Sequence, residues 1–238
     1  MHKLSALAFA VLLGKGAMAQ GAAADTALYQ QAIQAAIATY HQTINTQAEL
    51  YNGVEHMRYM PNIEGIPYYG ADEWKSGTIE YNGIVYRDVP LKYDMVKDQV
   101  VVRHPNGFSS LELYSPRVGY FTHGDDSFVY IPEGGDKSTP APGFYQQLSV
   151  GPLTALAKRS KGIAEEIVYG QMERRFEASN KYYLLKDGKY YSPRNENDLL
   201  SLTGERKREA KQALQKASIR FKKAPELAIV TVAEYYNQ

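Results

Sequence analysis

The sequence predicts an α+β fold, in which an N-terminal helix precedes an antiparallel β-meander and a helical segment follows it. Apolar residues recur at helical spacing near the N-terminus, alternate with period two from Trp74 onward, and return to helical spacing near the end. Tyrosine accounts for 20 of 238 residues, and such a high content is typical of a β-sheet with one partly solvent-exposed face. We predict the meander over 74–191, with about eight to ten strands forming an open barrel or a strongly twisted sheet.

Residues 1–19 have the features of a signal peptide. A basic start ends at Lys3, an apolar run covers 4–14, and the small residues Ala17 and Ala19 match a signal peptidase site. The apolar run is shorter than the roughly 20 residues that a membrane span needs, so we predict no transmembrane span. We therefore expect an exported protein, periplasmic or secreted, cleaved near Ala19.

Composition limits the chemistry available. The chain has no cysteine, which excludes disulfides, catalytic thiols and thiolate metal sites. The formal net charge is +1, but residues 20–100 include ten acidic and five basic residues, whereas residues 203–223 include eight basic and two acidic ones. Residues 20–238 are enough for one domain with a substantial core, and we predict a single domain.

A helix is predicted over 25–52. Asp25 is a suitable N-cap, and apolar residues follow at spacings of four, four, three and four. Asn52-Gly53 ends the pattern. The residues of this apolar face are Tyr29, Ile33, Ile37, Tyr40 and Ile44.

Turn signals then divide the meander into strands. Asn82-Gly83 is the dipeptide best suited to a type I′ hairpin turn, because both residues tolerate positive φ. Pro90 cannot donate to a β-ladder and predicts an edge or a bulge. The stretch 132–143 is rich in glycine, proline and small polar residues, and is long for a hairpin loop.

A second hairpin is predicted over 181–191, around Asp187-Gly188. Four tyrosines flank this turn symmetrically, and we predict that they are near cross-strand partners. Aromatic pairs of that kind stabilise a hairpin by roughly 0.2 to 1 kcal/mol each. The tyrosines are Tyr182, Tyr183, Tyr190 and Tyr191.

Helices are predicted over 196–238. Asn195 or Asn197 can cap the first, Thr203 precedes the second, and Pro225 is suited to the first position of the last.

Several segments resemble a family of exported, uncharacterised proteins of Gram-negative bacteria that has no assigned activity. The resemblance covers most of the chain after the signal peptide and implies a cell-envelope location and a shared fold, but no catalytic residues. The similar segments are YNG at 51–53, GIPYY at 65–69, GTIEYNGIVYRDVPLKYDMVKDQVVV at 77–102, KYYLLKDGKYY at 181–191 and VAEYY at 232–236.

Candidate catalytic residues are few. Two carboxylates at a suitable separation can hydrolyse a glycoside, and the weak candidates are Asp125, Asp126, Glu133 and Asp136. His123 and His104 lack the fixed spacing of known zinc motifs, so we predict no metal site. The sequence contains neither a Gly-x-Ser-x-Gly elbow nor a phosphate-binding glycine motif, and we predict no cofactor.

Two sets of residues are candidates for binding. The aromatic side chains of Tyr68, Tyr69 and Trp74 occur in a segment with glycine and proline, where they can stack on sugars, hold a peptide, or simply cover the end of a sheet. A basic helix can bind anionic envelope partners or be an ordinary solvated face. Its candidate residues are Arg206, Lys207, Arg208 and Lys211.

Two classes of function remain open. The first is a non-catalytic binding or structural module of the cell envelope, with a protein, a lipid or a glycan as partner and no role for nucleic acid. The alternative is a hydrolase that acts on envelope glycans or peptides through loop carboxylates. The lack of a recognisable catalytic constellation favours the first class.

Overall fold

The computed structural model describes residues 49–134 and 139–238, together with Tyr29, Ala32 and Ile33. The chain divides into the units Met1–Ala48 and Glu49–Gln238, and the second unit contains nearly all of the described residues. The helix predicted over 25–52 lies outside the described residues except at those three positions and at its end. There Glu49–Tyr51 forms a 3-10 helix. The N-terminal helix therefore stays a prediction.

The described residues form twelve strands in one sheet that is not closed. Neighbouring strands are antiparallel except for β2, which pairs in parallel with β11. In chain order the strands are β1 (Val54–Glu55), β2 (Ile63–Glu64), β3 (Lys75–Tyr81), β4 (Ile84–Asp94), β5 (Gln99–Arg103), β6 (Ser110–Glu112), β7 (Val118–His123), β8 (Asp126–Ile131), β9 (Gly143–Ser149), β10 (Leu153–Val168), β11 (Gln171–Lys186) and β12 (Lys189–Tyr191).

The sheet contains one crossover that the predicted meander lacks. The strand order is β1-β6-β5-β4-β3-β7-β8-β9-β10-β11-β12, so the chain runs outward from β3 to β6 and returns to pair β7 with β3. The prediction of one continuous meander over 74–191 is wrong at this point. Strand β3 buries alternate residues, including Ile79 and Tyr81, and the backbone groups of such a strand need partners on both edges.

Both predicted hairpin turns have the expected backbone conformation. Asn82 and Gly83 have φ values of 52° and 77°, and Asp187 and Gly188 have values of 49° and 73°. Positive φ at both central residues is the type I′ turn, whose twist matches that of the flanking strands.

The tyrosines of the second hairpin are near one another, as predicted, but none is directly opposite another. The register places leucines opposite Tyr190 and Tyr191, and β12 ends there. Pro193 has no N–H with which to continue the ladder, so Tyr182 and Tyr183 lie beyond the end of β12. Tyr183 nevertheless lies on the same face as Tyr190, and both rings pack against the buried cluster of Ile131, Tyr145 and Leu156.

The sheet curls around a cluster of aromatic rings. Tyr93 of β4 and Phe144 of β9 are fully buried, and their ring centroids are 5.9 Å apart. These two strands are four positions apart in the sheet. In a flat sheet that separation would be about 19 Å, at about 4.8 Å per strand. Phe121 and Phe128 complete the cluster, so side chains fill the interior of this curved part.

The predicted C-terminal helices are present as α1 (Glu196–Ser201), α2 (Lys207–Lys216) and α3 (Pro225–Asn237). The side chain of Asn195 caps α1 by accepting a hydrogen bond from the backbone N–H of Asp198 at 2.9 Å. The helices pack on β10 and β11 in a core of buried aliphatic residues. This core includes Leu153, Leu184, Leu199, Leu200, Leu214, Ile229 and Val232. No described helix is long and apolar enough to cross a membrane.

Strands β10 and β11 form a hairpin of 16 residues on each side, whose distal half is mostly exposed. Its tip carries Ile167, 74% exposed, and the fully exposed Tyr169. Strand β2 pairs with the hairpin at Arg174 and Arg175. The irregular segment of residues 56–74, which contains β2, thus lies beside the hairpin. The candidate site lies in this region.

Candidate functional site

A pocket of about 530 Å³ lies between residues 56–74 of the irregular segment and the turn that joins β5 to β6. Strand β4 contributes Lys92 and the long hairpin contributes Phe176. Aromatic, apolar and basic side chains line the pocket, and its exposed surface is more polar than apolar. The lining residues on which the argument depends are His56, Arg58, Met60, Tyr68, Asp72, Trp74, Lys92, Arg103 and Phe108.

Hydrogen bonds fix the irregular segment against the sheet. The ammonium group of Lys161 donates to the carbonyl oxygens of Ile66 at 2.7 Å and Tyr68 at 3.0 Å. The backbone N–H of Met95 donates to the carbonyl of Pro67 at 3.1 Å. Burial lowers the pKa of Lys161. The pocket wall is therefore ordered by contacts with both β10 and the end of β4.

A buried carboxylate, Asp94, organises the turn after β4. It accepts hydrogen bonds from the backbone N–H groups of Val96 at 2.9 Å and Lys97 at 3.0 Å, and from the hydroxyl of Tyr59 at 3.0 Å. Burial, followed by the neighbouring Asp94, raises the pKa of Tyr59. Tyr59 therefore stays a neutral donor that ties the irregular segment to this turn.

A buried hydrogen-bonded relay forms one wall of the pocket. The Nδ1 atom of His56 lies 2.8 Å from Oε1 of Glu112, and its Nε2 atom lies 2.8 Å from the hydroxyl of Tyr68. Lys97 also donates to Glu112. Burial alone would raise the pKa of Glu112, but the hydrogen bonds from Lys97 and His56 outweigh it and lower that pKa. Glu112 is thus an ionised acceptor that orients the imidazole.

Tyr68 and Trp74 hold Lys92 between them. The Nζ atom of Lys92 lies 4.7 Å from the centroid of each ring, which is cation–π distance. The same ammonium group forms an ion pair with Asp72. Burial, followed by the charges of Asp72 and Asp94, raises the pKa of Tyr68 to about 12. The hydroxyl of Tyr68 is therefore protonated at neutral pH.

The mouth of the pocket carries apolar surface that faces solvent. Phe108, in the turn between β5 and β6, is 95% exposed, and Met60 is 67% exposed. A scattered exposed apolar residue is ordinary, but these two line the same pocket as Trp74. An apolar ligand in this pocket would remove their surface from water.

The structure separates the three aromatic residues that the sequence grouped. Tyr68 and Trp74 line the pocket. Tyr69 does not line the pocket but packs against the aromatic core. Its ring packs edge-on against Phe128 at 5.1 Å, and its hydroxyl donates to Asp126 at 2.9 Å. Burial, followed by that hydrogen bond, raises the pKa of Tyr69 to about 12.

The candidate carboxylates Asp126 and Glu133 are not brought together. Asp126 begins β8 and accepts hydrogen bonds from Tyr69 and from Gln146, whereas the exposed Glu133 lies beyond the other end of that strand. Ile131, the last residue of β8, is already about 16 Å along the strand from Asp126, at 3.3 Å per residue, and Glu133 follows it by two residues. Glycosidase carboxylates lie about 5 to 9.5 Å apart. Asp125 is exposed, and Asp136 lies outside the described residues.

The basic candidates have unequal surroundings. Arg206 donates to the carbonyl of Tyr236 at 2.8 Å and packs over the ring of Tyr235, so it holds the end of α3. Lys207, Arg208 and Lys211 are exposed.

His123 has a different environment from the relay histidine. It is 2% exposed, and neither ring nitrogen has a partner among the described residues. Burial, followed by the charge of Lys75, lowers its pKa, so the ring is neutral. In the described part of the chain, no three His, Asp or Glu side chains are placed to hold a metal ion.

Sequence reasoning missed most of the pocket. His56, Arg58 and Glu112 carry no motif, and the residues of the relay are far apart along the chain. The available signal was the irregular segment itself, in which aromatic and basic residues occur with no helical or strand period. In comparisons with known proteins, the chain matches no family model, no curated protein and no solved structure.

Proposed function

We propose that the protein is a non-catalytic binding module of the cell envelope, and that the pocket beside β2 holds a small ligand with an apolar or aromatic surface. The observation that carries this proposal is the apolar mouth of the pocket, formed by Phe108 and Met60. Apolar surface left in water is unfavourable by roughly 25 cal/mol per Å², so a ligand that covers both side chains gains that free energy.

The size and rigidity of the pocket support the same proposal. Its volume of about 530 Å³ lies within the range of small-molecule sites. Hydrogen bonds from Lys161 and the His56 relay hold the wall in place without a ligand. A site that is already ordered loses little conformational entropy when it binds.

A binding role fits the polar groups better than a catalytic one. The raised pKa of Tyr68 makes its hydroxyl a poor nucleophile at neutral pH. Two of the candidate carboxylates for the alternative hydrolase lie apart, because Asp126 is the first residue of β8 and Glu133 follows the last. These features favour a binding role over the alternative hydrolase.

We also propose a periplasmic or secreted location. The signal-peptide features of residues 1–19 and the resemblance to exported proteins of Gram-negative bacteria support it. An envelope location gives access to lipids, glycans and their fragments as ligands.

The single tryptophan of the chain makes the binding proposal directly testable. Trp74 lines the pocket, so its fluorescence reports on this site alone. N-phenyl-1-naphthylamine is a neutral aromatic probe that accepts energy from tryptophan. We expect saturable quenching of Trp74 with a matching rise in probe emission, and a weaker affinity in Phe108→Ala.

The matched control is Tyr169→Ala, which removes another exposed ring at the far tip of the long hairpin. Its affinity for the probe should equal that of the wild type. Quenching that does not saturate, or equal losses in the two variants, would contradict a ligand site in this pocket.

A further inference from the structure

The charges that line the pocket do not balance. Arg58, Lys92 and Arg103 are basic, and Asp72 is the acidic residue among the lining side chains. Asp72 is already paired with Lys92. Two arginine charges therefore remain at the pocket without a carboxylate.

Neither guanidinium group has a strong partner in the described part of the chain. Arg103 donates to the carbonyl oxygen of Gly107 at 3.1 Å, and it forms no ion pair there. Arg58 is exposed and makes neither a hydrogen bond nor an ion pair within residues 49–134 and 139–238. Both groups keep free N–H donors in the geometry that suits carboxylate and phosphate oxygens.

A neutral ligand would bind in this pocket less tightly than an anionic ligand of the same shape. Covering Phe108 and Met60 with an apolar body also displaces water from the two guanidinium groups beside them. Removing water from a charge is unfavourable unless an opposite charge or a hydrogen-bond acceptor replaces it. An anionic group on the ligand would supply that replacement.

We propose that the ligand is an amphipathic anion, with an apolar or aromatic body against Phe108, Met60 and Trp74 and a carboxylate or phosphate bound by Arg58 and Arg103. This inference rests on the proposed function, because it names the class of ligand for the same pocket. It goes further by assigning the two arginines as specificity determinants.

A pair of probes separates the two proposals. 1-Anilinonaphthalene-8-sulfonate has the same aromatic body as N-phenyl-1-naphthylamine and adds one anionic group. We expect the chain of residues 20–238 to bind the sulfonate about tenfold more tightly than the neutral probe at low salt. That advantage should shrink as salt is added, because ions screen exposed charges.

The double variant Arg58→Gln, Arg103→Gln should lose the tenfold preference while keeping its affinity for the neutral probe. The control Arg87→Gln removes an exposed arginine of β4 that does not line the pocket, and should keep the preference. Melting curves of all variants should match the wild type, which excludes probe binding to unfolded chain.

The outcomes are distinct. Equal affinities of the wild type for the two probes would overturn the anion proposal and leave the pocket proposal intact. Failure of both probes to bind would overturn both. Displacement of the sulfonate by decanoate assigns a carboxylate ligand, and displacement by decyl phosphate alone assigns a phosphate. If neither displaces it, or if decanol does so equally well, the anion proposal is wrong.

Discussion

His56 shows how one buried residue can order the wall of the pocket. The residue is 8% exposed, and its imidazole joins Glu112, which belongs to the sheet, to Tyr68, which belongs to the irregular segment. A polar side chain is stable at such a depth only when its hydrogen bonds are satisfied, and here both ring nitrogens have partners. The relay therefore positions the ring of Tyr68, with which the ammonium group of Lys92 makes a cation–π contact.

We predict that His56→Ala lowers the free energy of unfolding by about 1 to 3 kcal/mol. The substitution removes one hydrogen bond from the carboxylate of Glu112 and one from the hydroxyl of Tyr68. Urea unfolding at pH 7 measures the change. His104→Ala is the control, because its imidazole accepts one hydrogen bond in the turn between β5 and β6. A loss in His56→Ala no greater than that of the control would show that the relay does not stabilise the fold.

Among the elements, α3 is tied to the sheet by one ion pair near its N-terminus. Arg159 of β10 is 9% exposed and donates two hydrogen bonds to Glu226, at 2.7 and 2.8 Å. Tyr182 of β11 donates a third at 2.8 Å. The carboxylate also lies in the first turn of α3, where the helix dipole favours a negative charge.

The pH dependence of stability follows from this pair. The hydrogen bonds from Arg159, against the opposing effect of burial, lower the pKa of Glu226 below its ordinary value of 4.5. A carboxyl group whose pKa is lower in the folded state contributes stability above its ordinary pKa and loses it as pH falls through the folded value.

We therefore predict that Glu226→Gln is less stable than the wild type by about 1 kcal/mol at pH 7, and that the difference narrows below about pH 4. The magnitude is modest because the side chain of Glu226 is 39% exposed and solvent screens the pair. Urea unfolding at both pH values measures it. Glu234→Gln, an exposed acid of the same helix, is the control. A difference that stays constant with pH would rule out the ion pair as its cause.

The hairpin of β11 and β12 depends on its turn. We predict that Gly188→Val lowers the melting temperature by about 2 to 6 °C, because a β-branched residue is strained at a φ of 73°. An added Cβ at Gly188 meets no atom within 4 Å, so the loss would be conformational. Gly162→Val, which also has open space but an ordinary φ, should leave the melting temperature nearly unchanged. Equal shifts in the two variants would contradict this account of the turn.

At the scale of the whole molecule, local signals predicted the two hairpin turns and the C-terminal helices, and long-range contacts determined the strand order and the pocket. Asp187-Gly188 was predictable because its conformational preference lies in two adjacent residues. The return of the chain from β6 to β7 was not, since Pro116 marks a turn without saying which strand comes next. The relay was not either, because His56 and Glu112 are 56 positions apart.

The candidate site was predictable in the same partial way. Tyr68 and Trp74 were found because aromatic residues in an irregular segment suggest a binding surface. Tyr69 was misplaced because its ring packs on Phe128 and its hydroxyl bonds Asp126, and these contacts between distant positions cannot be read from composition. Arg58 and Arg103 were missed because a lone arginine has no distinguishing pattern until the fold places it beside a pocket.

Export is a property of the whole chain and has its own test. We predict that the chain, expressed in a Gram-negative host, is recovered from the periplasm or the medium with the mass of residues 20–238. A signal peptidase accepts only small residues next to the cleavage site, so Ala19→Arg should leave a longer, cell-associated chain. Ala23→Arg places the same charge beyond the site and should be processed. Intact mass measurement of each fraction distinguishes these forms, and a full-length wild-type mass would refute cleavage near Ala19. Because the proposed ligands belong to the envelope, that result would also remove the reason to expect them.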